Sequence, residues 1–334
     1  MSGEVVPVLG SGPWSPLRIA IYRSMWIAAL VSNVGTFMHI VAAGWAMTSL
    51  TDSPTLVGLV QTSWAVPGFA LALHAGAFAD MVERRRLIAL TQVLALAIAA
   101  ALGVLEMTGN LGVTTLLVGT FFESVALTIA APAFMALTPQ LVGTQYLSQA
   151  FGLDSVSRNI AQSVGPALAG AVIAFTSPGA VFILNAVSFV GILFVVRKLP
   201  TFSAQVESAS KINHVIGDGI KHVVRTAQLR NIALRLALVL GATASLNSVM
   251  PVVAKKSLNV GSSGFGMLAG ALGVGSVLAV WLLPILRKQL HAEMLAMMAS
   301  FVWAAAVVGF AQSTTLFTAI PALLLCGATL MVLM

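Results

Sequence analysis

The stretch GAFADMVERRR, Gly76 to Arg86, separates two apolar runs and holds five charged residues, Asp80, Glu83, Arg84, Arg85 and Arg86, in a 334-residue chain that is only 8% charged. Before it runs PTLVGLVQTSWAVPGFALALH, and after it LIALTQVLALAIAAALGVLEM. Each flank is about 20 residues long, the length a helix needs to cross the hydrocarbon core of a bilayer. Such runs recur along the whole chain, so the charged stretch reads as a short connection between two spans. The chain is 58% hydrophobic, with a mean hydropathy of +0.98. A soluble globule needs roughly a quarter of its residues charged, so composition overrules the soluble two-domain protein that length alone would suggest. Transmembrane barrels alternate polar and apolar residues over about ten positions, and these runs do not. The fold class is therefore all-α: a polytopic membrane protein whose backbone is satisfied within helices.

Ten spans are predicted, at 24–49, 56–79, 87–107, 113–138, 149–175, 179–196, 230–254, 264–286, 291–310 and 314–334. With the N-terminus in the cytoplasm, Arg18, Arg23, Arg84 to Arg86, Arg197, Lys198, Arg230, Arg287 and Lys288 all fall on the inner side, and only Lys255 and Lys256 fall outside. The opposite orientation violates the positive-inside rule. The formal net charge of +7 is thus topological and gives no reason to expect nucleic acid as a partner. The lone Cys326 lies in an apolar run and cannot form an internal disulfide, and no Cys/His cluster suggests a metal. The opening MSGEVVPVLGSGPWSP lacks the pattern of a cleaved signal peptide, so the first span is expected to be retained.

The predicted organisation is a cytoplasmic N-terminal segment (1–23), a six-helix bundle (24–196), a cytoplasmic linker (197–229) and a shorter set of helices (230–334). Within the linker, Ile212, Val215, Ile216, Ile220, Val223 and Val224 recur at helical spacing, with Lys211, Asp218, Lys221 and Arg225 elsewhere on the wheel. That pattern predicts an amphipathic helix on the inner membrane surface, tethering two halves. LTDSPTLVGLV before the second span is echoed by LNVGSSGFGML before the eighth. The echo suggests two repeated halves, as in many secondary transporters. Only four spans follow the linker, so the second half is expected to be incomplete.

Ionisable groups at membrane depth are costly unless they are paired or face water. Glu123 lies mid-span without a partner on its own helix, and is a candidate for proton coupling or a hydrogen-bonded structural acid. Asp154 and Arg158, at i,i+4 on the fifth span, are expected to pair, as a structural pair at the inner gate or as a substrate contact, and with Glu123 they are candidates for proton coupling. Asn33, Thr36 and His39 on the first span, with Gln61, Trp64 and Phe69 on the second, are candidate cavity-lining residues or helix-to-helix contacts. The string GFGMLAGALGVG misses the spacing and context of a dinucleotide fingerprint, and reads better as small residues at close helix contacts. No HExxH, P-loop, GxSxG or nucleophile–base set is present, so neither an enzyme nor a cofactor is expected.

With these motifs in view, the chain resembles the major facilitator superfamily. Its signature loop between helices two and three, G-x-x-x-D followed by basic residues, is matched by Gly76, Asp80, Arg84, Arg85 and Arg86, with Glu83 standing where many members have glycine. The antiporter signature of helix five is matched by Gly152, Gly165, Pro166 and Gly170, with Ala161 and Ala169 replacing glycines. SNVGTFMHIVAAGWAMTSLTDSPTLVGLVQ, AAPAFMALTPQLV and SRNIAQSVGPALAG resemble one subgroup, the bacterial transmembrane secretion effectors or enterobactin-exporter-like proteins. The resemblance implies a monomeric inner-membrane exporter of a small molecule such as a drug or siderophore, acting by alternating access and driven by proton entry. It also implies that Asp80 and the arginines latch the inner ends of helices from both halves. The helix-four arginine of many proton antiporters is missing here, and Glu123 lies in its region. Members have twelve helices, and helices eleven and twelve are expected to be lacking in this chain. The alternative is a truncated or non-transporting protein of the same fold, a fragment, receptor or assembly partner.

Overall fold

The computed structural model describes residues 12–199 and 225–333. The opening segment and most of the linker, including the expected amphipathic helix, lie outside the described residues. Among those described, ten α-helices form: α1 Ala20–Leu50, α2 Pro54–Met81, α3 Arg84–Met107, α4 Val113–Val142, α5 Leu147–Phe175, α6 Pro178–Arg197, α7 Ala227–Lys256, α8 Ser262–Gln289, α9 Ala292–Ala311 and α10 Leu316–Leu333. Each sits on one of the ten apolar runs and exceeds or trims it by a few residues.

Local chemistry sets the helix ends. Pro54 opens α2, where its missing N–H costs nothing, and the residues before it are biased away from helix. Pro178 opens α6 behind Ser177, whose side chain accepts from the Gly179 amide, as an N-cap does. Gly143, at φ 75°, ends α4 in a conformation that favours glycine. Among the described residues, eight helices are long and apolar enough to cross a membrane on their own. α2 packs on α4, and α5 lies between α1 and α8. The polar positions of α5 are thereby given protein neighbours.

In the first six helices, α1 packs on α5 and α6, α2 on α4, and α3 on α4 and α6. The pairings of α2 and α3 with α4 recur as those of α8 and α9 with α10. The echo seen in sequence therefore corresponds to a repeated arrangement. Across the halves α8 lies along α5, and α7 meets α2 and α1.

One end of the bundle carries Arg84 to Arg86, Arg197, Arg287 and Lys288, and is called here the basic end. The far end carries Lys255 and Lys256. The largest apolar core lies toward the far end and draws on both halves: Trp45, Val60 and Ile173 meet Met250, Phe265 and Leu323 in one cluster. Toward the basic end a second core joins Tyr22, Ile88, Leu137, Leu153 and Val196, all from the first six helices. Among the described residues, the halves thus share an apolar core toward the far end, whereas the core toward the basic end belongs to the first six helices.

Close helix contact replaces hydrophobic driving force inside a membrane, and the glycines supply it. A Cβ on Gly170 or on Gly266 would collide with the other residue's backbone, and one on Gly273 would strike the Ser163 carbonyl. These contacts form the α5–α8 seam. Gly275 and Gly327 make the same approach between α8 and α10, where Ser276 Oγ donates to the Gly327 carbonyl at 3.0 Å. At the far end Trp45 stacks on Phe265 with centroids 4.4 Å apart. There Lys255 donates to the Thr48 carbonyl, and Lys256 to that of Asp52 at 2.7 Å.

Candidate functional site

Glu123 is completely buried in the middle of α4, and its partners come from two other helices. Asn185 Nδ2 on α6 donates to Glu123 Oε1 at 2.7 Å. His39 Nε2 on α1 stands 3.1 Å from Glu123 Oε2, with both side chains fully buried. Neither of those two atoms completes a well-angled hydrogen bond, so the contact is electrostatic. Asn185 Nδ2 also lies 3.3 Å from His39 Nδ1. An amide nitrogen carries two hydrogens, so one Asn185 serves both neighbours. With Nδ1 accepting, the network assigns the imidazole hydrogen to Nε2, facing the carboxyl.

Gly35 makes this approach possible. A Cβ there would lie 2.8 Å from Asn185 Oδ1 and 2.9 Å from Ser188 Oγ, so glycine lets α1 close on α6 one turn before His39. Ser188 Oγ in turn donates to the Asn185 carbonyl at 2.7 Å. Chemically, the arrangement is a carboxyl beside an imidazole, sheltered from bulk water, with an amide orienting both. Such a pair can hold or hand over a proton. Asn185 carried no role in the sequence reading. Its signal was available, an amide in the middle of the run VFILNAVSFV.

Two cavities lie close by. One, of about 560 Å³, sits between the halves and is lined by Gln61, Trp64, Pro166, Gln162, Asn247 and neighbouring apolar residues. The other, of about 310 Å³, lies within the first six helices and is lined by Asn33, Gln92, Asp154, Arg158 and again Trp64. Trp64 is a shared wall, and its carbonyl accepts from Ser124 Oγ at 2.6 Å, next in sequence to Glu123. Of the residues expected to line a cavity, Gln61 and Trp64 border the inter-half space and Asn33 the smaller one. Asn33 Nδ2 also reaches Ser157 Oγ at 3.4 Å. His39, with no exposed surface, sits behind the wall in the Glu123 cluster, a helix-to-helix contact and not a cavity-lining position.

Asp154 and Arg158 share the smaller cavity but form no ion pair within 4.0 Å among the described residues. Tyr22 Oη stands 3.4 Å from Asp154 Oδ1 and donates to the Ala150 carbonyl at 3.0 Å. The expected i,i+4 pair is therefore a looser electrostatic neighbour, with a tyrosine from α1 occupying one side of the acid.

In the signature stretch, Gly76 has open space where a Cβ would stand, and the side chain of Asp80 lies outside the described residues. Arg84 donates to the Ala136 carbonyl of α4 at 3.3 Å. Arg85 donates to the carbonyls of Leu199 at 2.9 Å and Arg197 at 3.0 Å, where a cation complements the C-terminal end of α6. Arg86 pairs with Glu83 at 3.0 Å, and its side chain is 79% exposed. Two of the three arginines thus staple α3 to its own bundle. On α5, a Cβ on Gly165 would lie 2.6 Å from Phe37 Cβ of α1, while Gly170 meets Gly266 of α8. Gly152 has nothing within 4 Å of a Cβ position.

A family model described as transmembrane secretion effector matches residues 11–334. The staphyloferrin A transporter of Staphylococcus aureus (strain NCTC 8325 / PS 47) is 24% identical over 287 residues, 83% of this chain and 70% of that protein. An uncharacterized MFS-type transporter, y4rN, of Sinorhizobium fredii (strain NBRC 101917 / NGR234) is 26% identical over 262 residues, 77% of this chain and 65% of that protein. Among solved structures, a bacterial homolog of the human lysosomal transporter Spinster, in an inward-facing and occupied conformation, superposes with a TM-score of 0.71 at 12% identity, covering 97% of this chain and 73% of that one. A bacterial homologue of the iron transporter ferroportin, in an inward-facing state, gives 0.64 at 16% identity, covering 94% and 81%. At these identities the structural likeness speaks for the fold.

Proposed function

The chain belongs to the transmembrane secretion effector family of the major facilitator superfamily, and from that premise we propose that it is a proton-driven exporter of a small molecule, such as a drug or siderophore. It is a multi-pass membrane transporter. In this reading it works as a monomer in a bacterial inner membrane, with its N-terminus in the cytoplasm, and moves its substrate by alternating access. The observation that carries the reading is a cavity between two halves that share a core at one end only. By the positive-inside rule the basic end is cytoplasmic, and in this reading the conformation is inward-open.

Glu123 is the proton carrier in this reading, with His39 and Asn185 holding it, and Asp154 and Arg158 lie on the water-side approach. Asp80 with Arg84 to Arg86 is the cytoplasmic latch. The glycine and proline positions Gly152, Gly165, Pro166 and Gly170 shape the hinge side of α5. That one relative is a staphyloferrin A transporter supports, for this chain, a small-molecule substrate. The test is flux in proteoliposomes under an imposed pH gradient, with a panel of candidate substrates. Glu123→Gln is expected to abolish gradient-driven flux while the protein stays folded. Flux that persists in that variant removes the carrier role.

A further inference from the structure

The inter-half cavity has an unusual chemical balance. Among the described residues that line it, none is charged. Its polar lining is instead dominated by carboxamides, Gln61 on α2, Asn159 and Gln162 on α5, and Asn247 on α7, with the aromatic faces of Trp64 and Phe69 beside them. The four amides come from both halves and are partly exposed. Among the described residues none of them is tied to a protein partner. The ionisable groups lie elsewhere: Asp154 and Arg158 line the smaller cavity beyond Trp64, and Glu123 and His39 are buried behind it.

We infer that the substrate of the inter-half cavity is an uncharged, partly aromatic molecule with several hydrogen-bonding groups, and that Gln61, Asn159, Gln162 and Asn247 determine its selection. A carboxamide both donates and accepts, so amides placed on several sides can follow an uncharged polar solute in varied poses. A charged solute entering the same space loses its hydration and meets no counter-charge. Aromatic faces supply area without adding charge. The segregation of charge keeps the coupling carboxyl from competing with the substrate for one partner. This inference rests on the transporter reading for the identity of the cavity.

The test uses the full chain in nanodiscs with three fluorescent probes matched in ring system: dansylamide (neutral), dansylglycine (anionic) and dansylcadaverine (cationic). Binding is read by saturable fluorescence enhancement, with no gradient, so it is independent of coupled transport. Dansylamide is expected to bind about tenfold more tightly than either charged probe. Gln162→Leu and Gln61→Leu are each expected to weaken it several-fold, and Asn247→Asp is expected to move the preference to dansylcadaverine. Equal or tighter binding of a charged probe to the unaltered chain, unchanged affinity in both leucine variants, or no saturable signal from any probe overturns the inference. A chain that ranks the probes as expected but shows no gradient-driven flux instead sinks the exporter reading alone.

Discussion

Consider adding one methyl group at Gly170. The new Cβ would lie 2.7 Å from Gly266 Cα and 2.9 Å from its carbonyl carbon, where ordinary contact begins near 3.4 Å. Both neighbours are backbone, so no rotamer change relieves the clash, and α5 and α8 must separate by roughly 1 Å. A gap of that size forfeits about a quarter to a half of each dispersion contact along the seam. Gly273 against Ser163 and Ala167 lies on the same line and loses with it. Overpacking of this kind costs about 1–3 kcal/mol. Gly270→Ala on α8 is the matched control, since no atom lies within 4 Å of its Cβ position, and it gains up to about 1 kcal/mol of helix propensity. That propensity gain is common to both variants, so Gly170→Ala should be less stable than Gly270→Ala by about 1–3 kcal/mol in reversible unfolding from mixed micelles, followed by tryptophan fluorescence. Equal midpoints for the two variants would refute the argument that backbone contact at this seam joins the halves.

Replacing Asn185 with Leu leaves Glu123 Oε1 without its 2.7 Å donor and should cost about 1–3 kcal/mol in the same unfolding assay, whereas a purely steric role predicts near-neutrality. Lys255→Met with Lys256→Met removes both cation-to-carbonyl ties at the far end. A loosening of about 1 kcal/mol there is about a fivefold population change, read as faster labelling of Gln61→Cys by an impermeant maleimide in a Cys326→Ser background; an unchanged rate means that these two ties do not hold the far end closed. Arg85→Gln breaks two bonds to the end of α6 and should cost about 1–2 kcal/mol. Arg86→Gln, exposed beside Glu83, should stay within about 0.5 kcal/mol, and a reversed order of those two variants counts against the staple.

The helices were legible because a bilayer writes its thickness into sequence as runs of about 20 apolar residues. Even α5, the more polar fifth run, was placed at 149–175, against Leu147–Phe175 in the structure. Glu123 was legible as an anomaly, but its environment was not. Its partners, His39 and Asn185, are 84 and 62 positions away by residue number, and only helix packing brings them together. The same gap explains His39, for which one helix left open a cavity wall or a helix-to-helix contact, and Gly35 draws that face of α1 onto α6. The Asp154–Arg158 pairing was argued from one helix alone, and a tyrosine from α1 altered it. The arginines were read as topology and latch; that Arg84 and Arg85 spend their donors on carbonyls of their own bundle depends on where α4 and α6 end.

The core shared at the far end has a consequence for biogenesis. α8 finds its main neighbours in α5 and α10, and α7 touches little besides α1 and α2. Among the described residues, the hydrogen bonds and ring contacts of Glu123, His39 and Asn185 are internal to the first six helices. Because domains fold N-terminal first during synthesis, the buried carboxyl is expected to be housed before the chamber beside it has a second wall.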